Sequence, residues 1–377
     1  MTRIVVKCWV PFICALILHS ISVTCPSIAG GDFKQALPGY KFRFPQDHFS
    51  HPDFKLEWWY YTGNLHTAYG KGFGYELTFF RVGLALPDPS RTSRWAVSSI
   101  YLAHLALTDK SNGRFFYRER INRGSLGQAG AATDRYHVWI DDWQVRENGN
   151  KHTLAAGNSQ LGINLEICPV KSPVIHGENG VSQKAESTGN ASHYYSLTRM
   201  VTKGVIRHNG STHKVTGPSW MDHEFGSNQL TGDQAGWDWF GLQLDNRHEL
   251  MLYVMRQKDG SWNPVSSGTL VFPDSRTRHL GTGDFKIQKK GEWRSPHSGT
   301  VYPAGWTVTV PSEEILLEIM PALADQELVT ENSARVTYWE GSVNIKGRMH
   351  RKSLTGQGYV ELTGYAPGGI GPALRKE

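Results

Sequence analysis

The stretch GFGYELTFFRV, residues 72–82, has a large apolar residue at every second position from 73 to 79. Its large apolar residues at positions 73, 75, 77 and 79 fall on one side of an extended chain, because successive side chains of a β-strand point to opposite faces. Similar β-type runs recur along the chain, among them SSIYLAHLALTD, RYHVWIDDWQVREN, LGINLEICPV, ELMLYVMR, GWTVTVP and GYVELTGY. Short segments rich in Gly, Asn, Asp and Pro separate them, as is typical of antiparallel sandwiches and barrels. The sequence therefore predicts an all-β fold.

Two tryptophan-led hairpins resemble each other, EWWYYTGNLHTAYGKGFGYELTFFR at 57–81 and GWDWFGLQLDNRHELMLYVMR at 236–256. Both return on an apolar strand that contains Glu-Leu and ends in arginine. This similarity favours duplication of one β unit, although any two aromatic hairpins share some of these features. Duplication predicts two tandem antiparallel β-barrel domains. We place them at residues 40–227 and 236–370, joined by the polar segment NQLTGDQA.

The first 29 residues have the pattern of a secretory signal. Arg3 and Lys7 precede an apolar run from Cys8 to Val23, and small residues follow it. We expect cleavage after Ala29 and a secreted or periplasmic protein without a membrane span. The alternative is an uncleaved anchor, but the apolar run contains a proline and a histidine and is short for a span.

Composition and motifs argue against several classes of function. The formal net charge is +6 and falls to +4 without Arg3 and Lys7, and the basic residues form no run, so no nucleic-acid partner is expected. Walker, dinucleotide-binding, nucleophile-elbow and zinc-protease motifs are absent from the sequence, and no cofactor is predicted. DHFSH and MDHE, at 47–51 and 221–224, concentrate metal-ligand residue types. Because a metal needs three or four converging ligands, we favour structural roles for these histidines and predict no metal site. Cys168 is the one cysteine after the signal, and we expect it to be buried.

Acids and aromatic residues interleave on the predicted strands. A small barrel with an apolar interior holds one small ligand. Burial there disfavours the charged form of a carboxylic acid, so its pKa rises and it can deliver a proton at neutral pH. Tryptophan and tyrosine rings nearby can stabilise a carbocation. This combination suits the addition of water to an unactivated double bond, or isomerisation or cyclisation of an unsaturated substrate.

The segment WMDHEFG, residues 220–226, is the leading candidate site. On a strand, His223 points to one face and both Asp222 and Glu224 point to the other. We predict that His223 faces the ligand cavity as the proton-handling group, oriented by a carboxylate from another strand. Asp222 or Glu224 would be its electrostatic partner. The structural alternative makes Asp222 a turn residue and Glu224 an ion-pair partner.

The two hairpins supply further candidates. Glu57 shares a face with Trp59 and is either a cavity acid or the partner of Arg81 in a buried ion pair across the hairpin. Asp238 alternates with its neighbouring tryptophans, so only the acid or the two rings can face inward. The predicted ligand-binding residues are Glu57, Trp59, Arg81, Trp237, Trp239 and Tyr253.

Several segments, in this order, resemble the AttH and carotenoid 1,2-hydratase family of secreted lipocalin-like proteins: FPQDHFSHPDFKLEWWYYTGNL, FGYELTFFR, WMDHEFGSNQL, GWDWFGLQLDNRHELMLY, WRSPHSGTVYPAGW, YWEGSVNIKG and GYVELTGYA. The resemblance implies two tandem lipocalin-like barrels and, from the best-understood branch of the family, hydration of terminal double bonds of acyclic carotenoids. His223 matches the Asp-His motif of the hydratases. Those enzymes carry an aspartate after the tyrosine of a later strand, whereas here Tyr253 is followed by Val254 and Met255, so that acid is missing at this position.

We therefore expect a secreted protein that binds an apolar, unsaturated or isoprenoid-type small molecule and performs cofactor-free, acid-assisted hydration or isomerisation. It would then be a hydro-lyase similar to carotenoid 1,2-hydratase. The rival hypothesis is a non-catalytic lipid carrier of the periplasm or the extracellular space. Hydrolysis, which the family's common label suggests, ranks third because the sequence has no nucleophile elbow.

Overall fold

The computed structural model describes residues 32–88, 90, 92–228 and 230–367. The predicted signal, residues 1–29, lies outside these ranges. Within them the regular structure consists of β-strands and two short 3-10 helices, Gln46–His48 and Pro311–Glu313. The predicted all-β, lipocalin-like fold is confirmed.

The first sheet is a nearly closed antiparallel barrel. Its strands pair in the order β4-β3-β2-β1-β13-β12-β9-β8-β7-β6-β5, with β10 and β11 added to β12. The two ends of this order meet where Arg120 of β4 donates a hydrogen bond to the carbonyl of Ile140 in β6, at 3.3 Å. The strands are β1 Leu56–His66, β2 Gly72–Gly83, β3 Ser99–Asp109, β4 Arg114–Arg123, β5 Ala129–Ala131, β6 His137–Ile140, β7 Trp143–Asn148, β8 Lys151–Gly157, β9 Leu161–Pro169, β10 Val174–Ile175, β11 Ser182–Gln183, β12 Ala191–His208 and β13 Ser211–Gly226.

The second sheet repeats this strand order. It runs β17-β16-β15-β14-β25-β24-β22-β21-β18, with β23 paired to β24. Its strands are β14 Gln234–Leu244, β15 Glu249–Gln257, β16 Ser267–Val271, β17 Thr277–Gly281, β18 Lys286–Lys289, β21 Trp306–Val310, β22 Ile315–Pro321, β23 Glu327–Val329, β24 Thr337–Met349 and β25 Lys352–Leu362. A separate hairpin joins β19 Glu292–Arg294 to β20 Val301–Pro303. In both sheets the first strand lies between the second strand and the last, as duplication would produce. The domain bounds 40–227 and 236–370 stay predictions.

The three largest of the five apolar clusters among the described residues hold the sheets together. One fills the first barrel and one packs on the inner face of the second sheet. The third lies between the two sheets and is rich in aromatic residues: Tyr60, Tyr194, Trp220, Leu230, Trp239, Met251, Tyr253, Met255 and Tyr359. Burying a large apolar side chain contributes about 1.5–3 kcal/mol. The third cluster thus fixes the position of one sheet against the other.

Two smaller features complete the description. Cys168 has no disulfide partner among the described residues. It is partly exposed rather than buried as predicted, since it alternates with buried Ile167 on β9 and points outward. No helix in the described ranges is long and apolar enough to cross a membrane.

A buried ion-pair cluster also links the two sheets. Lys171, after β9, donates a hydrogen bond from Nζ to Glu249 Oε2 at 2.6 Å and to the carbonyl of Phe272 at 2.8 Å. Arg199 of β12 donates from Nε to Glu249 Oε1. Glu249 itself is fully buried. One carboxylate of the second sheet therefore pairs with two cations of the first barrel.

The Glu249→Ala variant is expected to lower the free energy of unfolding by about 2–3 kcal/mol, because it leaves two partly desolvated cations without a counter-charge. Urea unfolding measures this. The matched control is Glu318→Ala, which removes an exposed carboxylate 3.0 Å from Lys290 and should cost less than about 1 kcal/mol. Equal costs for the two variants would contradict a linking role for Glu249.

Candidate functional site

Strand β13 divides the predicted catalytic residues between two faces, as the alternation of a strand requires. Asp222 and Glu224 line a cavity between the two sheets. His223 points the other way, into the first barrel, and is fully buried. The prediction that His223 faces the ligand cavity is therefore wrong. The face of β13 that meets the second sheet carries Asp222 and Glu224 instead.

His223 belongs to a hydrogen-bonded cluster inside the first barrel. Its Nε2 lies 3.0 Å from Glu57 Oε1 and its Nδ1 lies 3.1 Å from the Tyr195 hydroxyl. Its ring stacks on Trp59, with 4.9 Å between ring centroids. Burial lowers the pKa of His223, and its contact with Glu57 opposes this only in part. A carboxylate from another strand thus orients a neutral imidazole that does not touch the cavity.

Glu57 forms the buried ion pair that was one of its two predicted alternatives. It lies directly opposite Arg81 across the β1–β2 hairpin, and Arg81 Nε donates to Glu57 Oε2 at 3.0 Å. The backbone amide of His51 and the hydroxyl of Ser50 donate to the same carboxylate, both at 2.9 Å. Burial raises the pKa of Glu57, but Arg81 and the two histidines outweigh it and hold this pKa well below its usual value. Glu57, Trp59 and Arg81 therefore lie together in the first barrel, away from the cavity.

The same cluster contains the one set of residues in the described ranges that resembles a metal site. Ligand atoms of His51, Glu57 and His223 lie within 4.8 Å of one another. Burial lowers the pKa of His51, but hydrogen bonds to Asp47 and Glu57 outweigh it, so the pKa is raised. The ring of His51 lies between the two carboxylates, with Nδ1 2.9 Å from Glu57 Oε1 and Nε2 3.2 Å from Asp47 Oδ1. Because the candidate ligand atoms are already hydrogen-bonded to one another and Arg81 supplies a positive charge, the cluster fits a structural network better than a cation site.

The cavity lies between equivalent strands of the two sheets. Strands β1, β2, β12 and β13 form one side, and β14, β15, β24 and β25 form the other. The cavity has a volume of about 90 Å³, which accommodates several waters. The predicted residues Trp237, Trp239 and Tyr253 all line it, and Asp238 points away to pair with Arg256 at 2.7 Å. The other aromatic walls are Trp58, Tyr60, Phe80, Tyr194 and Tyr338.

Asp222 is a buried acid on the first-sheet side of the cavity. Its Oδ1 accepts a hydrogen bond from Trp220 Nε1 at 2.6 Å and another from the Ser196 hydroxyl. Its Oδ2 accepts one from the Tyr194 hydroxyl at 2.9 Å. Burial raises the pKa of Asp222 to about 7 in spite of these bonds. A fraction of the molecules therefore carries a proton on Asp222 at neutral pH.

Two acids of the second sheet were missed in the sequence. Glu361 of β25 accepts a hydrogen bond from Trp237 Nε1 at 2.9 Å on Oε2, while its Oε1 has no hydrogen-bond partner in the described ranges. Burial raises the pKa of Glu361 to about 7, and the charges of Asp222 and Glu224 act in the same direction. Glu340 of β24 accepts from the Tyr60 hydroxyl at 2.7 Å. Burial, with Glu361 nearby, raises its pKa well above the usual value.

Glu361 shares a face of the second sheet with Tyr253 and Trp239. Tyr253 lies directly opposite Trp239, and Trp239 lies directly opposite Glu361. These three residues form one row across β15, β14 and β25. Val254, the residue that follows Tyr253, points to the opposite face and packs in the core of the second sheet, so Glu361 is a separate cavity acid and does not take the place of the hydratase acid. The segment GYVELTGY contains Glu361 and was part of the resemblance, but only the pairing of β25 with β14 reveals its location.

One cation, Lys184, lies in the lining of this acidic cavity. Lys184 Nζ lies 2.8 Å from Glu224 Oε1 and 4.6 Å from the centre of the Tyr253 ring. Burial lowers the pKa of Lys184, but Glu224 and Tyr253 outweigh it, so the pKa is raised. The cavity therefore combines acids that can be neutral, one ion pair and several ring faces, which can donate a proton and stabilise a positively charged intermediate.

Comparison with known proteins identifies the family to which this chain belongs. The AttH-like family model matches residues 35–365. A solved Nitrosomonas europaea protein assigned to AttH is 32% identical, with a TM-score of 0.80 over 88% of this chain and 99% of that one. Kievitone hydratase from Nectria haematococca has the same fold at 16% identity, with a TM-score of 0.65 over 88% of this chain and 96% of that one. The kievitone hydratase of Fusarium solani subsp. phaseoli is 21% identical over 247 residues, which are 63% of this chain and 68% of that protein. The resemblance seen in the sequence is confirmed, and the chain belongs to the AttH-like family.

Proposed function

We propose that this protein binds an apolar, unsaturated small molecule of isoprenoid type between its two sheets and catalyses its hydration or isomerisation without a cofactor. The observation that carries the proposal is the pair of cavity acids, Asp222 and Glu361, whose pKa values are both raised to about 7. A general acid works best when its pKa lies near the working pH. The predicted signal adds that the reaction takes place outside the cell or in the periplasm.

Glu361 is the proposed proton donor, because its Oε1 is free of hydrogen bonds within the described residues. Transfer of its proton to one carbon of the double bond leaves a carbocation on the other carbon. The faces of Trp237, Trp239 and Trp58 line the cavity and stabilise such a cation by about 2 kcal/mol where water is excluded. A water molecule then adds to the cation and returns a proton to the Glu361 carboxylate, which gives hydration. Transfer of a proton from a neighbouring carbon to the Glu361 carboxylate gives the isomer instead.

Asp222 is proposed to act through Tyr194. The Tyr194 hydroxyl contacts Asp222 Oδ2 at 2.9 Å and accepts a hydrogen bond from Trp239 Nε1 at 3.0 Å. When Asp222 is protonated it can donate to this oxygen, so that the tyrosine proton turns toward the cavity. Asp222 thereby holds a second proton next to the ligand. Proton handling by His223 itself stays a prediction, with the role of orienting Glu57 as its structural alternative.

The experiment has two stages. Native mass spectrometry of the purified protein, followed by extraction, identifies the bound ligand. The ligand is then incubated with protein in water enriched in oxygen-18. Hydration predicts a product that is heavier by one labelled water, and isomerisation predicts a product of equal mass with a shifted double bond. A ligand that returns unaltered would contradict catalysis and favour the carrier hypothesis.

A further inference from the structure

The outer face of the first barrel carries an apolar stripe that begins at the cavity. Phe80 of β2 lines the cavity and lies opposite Leu102 of β3, which lies opposite Ile121 of β4. In the next row, Val82 lies opposite Ile100. Residues directly opposite each other in a sheet share a face. We call these five residues, Phe80, Val82, Ile100, Leu102 and Ile121, the outer stripe.

The end of the outer stripe is exposed to solvent, together with the loop that follows β2. Ile121 is 47% exposed, and in the loop Leu84 is 55% and Trp95 is 65% exposed. The backbone amide of Leu84 donates to the carbonyl of Ser98 at 2.8 Å, which holds the two ends of the loop beside the stripe. Soluble proteins seldom expose contiguous apolar surface unless something binds there.

Two arginines flank this surface. Arg123 lies opposite Ile100 at the end of β4, and its guanidinium sits 5.8 Å from the centre of the Trp95 ring. The carbonyl of Arg94 accepts a hydrogen bond from the amide of Leu126 at 3.2 Å, which places Arg94 close to the same strand end. Neither arginine has an ion-pair partner within the described ranges. Glu119, the nearest acid along β4, is engaged by Asn332 and Ser333.

We propose that the outer stripe, with Leu84, Trp95, Arg94 and Arg123, docks on an anionic phospholipid bilayer. Tryptophan prefers the interfacial layer of a membrane, and arginines near that surface are attracted to anionic headgroups. The continuity of the stripe with the cavity adds a consequence that rests on the proposed function. An apolar ligand can then follow the stripe from the bilayer to Phe80 and the cavity once the side chain of Leu102, which is only 8% exposed, moves aside.

Co-sedimentation with vesicles tests the docking without any turnover. Vesicles of phosphatidylcholine alone are compared with vesicles that contain phosphatidylglycerol. The protein should bind the anionic vesicles, and the triple variant Leu84→Ser, Trp95→Ser, Ile121→Ser should bind at least ~10-fold more weakly. The double variant Arg94→Glu, Arg123→Glu should lose only the preference for anionic vesicles. These positions are exposed or lie at a strand end, so unfolding temperatures should match the wild type.

Tyr69→Ser is the matched control, because Tyr69 is a 99% exposed aromatic residue in the β1–β2 turn, outside the stripe. It should leave vesicle binding unchanged. The proposal is overturned if the wild type does not bind vesicles, or if Tyr69→Ser weakens binding as much as the triple variant does. A dimer in solution that the triple variant dissociates, without vesicle binding, would assign the stripe to a second copy of the chain instead. None of these outcomes depends on whether the cavity is catalytic.

Discussion

The Glu361→Gln variant is expected to turn over its ligand about 10²–10⁴-fold more slowly, with ligand affinity unchanged within a few fold. Glutamine has nearly the same shape and can still accept the hydrogen bond from Trp237, but it has no acidic proton to donate. Burial raises the pKa of Glu361 to about 7, so the wild-type rate should fall as the pH rises above this value. The variant should lose this limb of the pH profile. Turnover of the extracted ligand, followed by mass spectrometry across pH, measures both effects.

The control for this variant is Glu318→Gln, which changes an exposed carboxylate of β22 and should leave turnover unaltered. A Glu361→Gln variant that is as fast as the wild type would exclude Glu361 as the acid. Stability gives a readout that needs no ligand. Because the pKa of Glu361 is raised on folding, its contribution to stability is complete below the pKa of the unfolded chain. That contribution is lost as the pH rises through the folded value. Urea unfolding should therefore depend less on pH in the variant between about pH 4 and 7.

The Glu57→Ala variant is expected to lower the free energy of unfolding by about 3–5 kcal/mol, because it leaves a buried cation without its counter-charge. Arg81 is 1% exposed and keeps only the carbonyls of His51 and Phe54 as partners. His51 and His223 each lose an acceptor as well. Denaturant unfolding monitored by tryptophan fluorescence measures the loss, and Glu57→Gln should cost less because it retains an acceptor.

Glu166→Ala is the matched surface variant, since Glu166 pairs with Lys151 and Lys203 where all three side chains are 40% exposed or more. It should cost far less than Glu57→Ala, because water screens an exposed ion pair. If Glu57→Ala is as stable as Glu166→Ala but inactive, Glu57 is a catalytic acid and the structural account of the His223 cluster fails. If it is unstable and any folded fraction keeps its activity, the cluster serves the fold.

Alternation along single strands could be predicted from the sequence. The separation of His223 from Asp222 and Glu224, and that of Asp238 from its neighbouring tryptophans, both follow from the period of two and agree with the structure. The choice between the two faces could not be predicted, because it depends on which face of β13 meets the second sheet. That is a long-range packing outcome to which the apolar clusters of both sheets contribute.

Pairing between distant strands accounts for what was missed. Glu361 reaches the row of Tyr253 and Trp239 only because β25 pairs with β14, and the two strands are more than a hundred residues apart. Glu340 enters the cavity in the same way, through β24. Local patterns indicated that these segments are strands, but a local pattern carries no information about register between strands. Glu340 and Glu361 could therefore not be assigned to the cavity from the sequence alone.

Both cavity acids, Asp222 and Glu361, are expected to titrate near neutral pH. Carbon-13 NMR of protein labelled at the aspartate and glutamate carboxyl carbons tests this directly, with the two resonances identified by their absence from Asp222→Asn and Glu361→Gln. Both resonances should titrate with midpoints of about 7. Midpoints of about 4, which are ordinary for exposed acids, would contradict it.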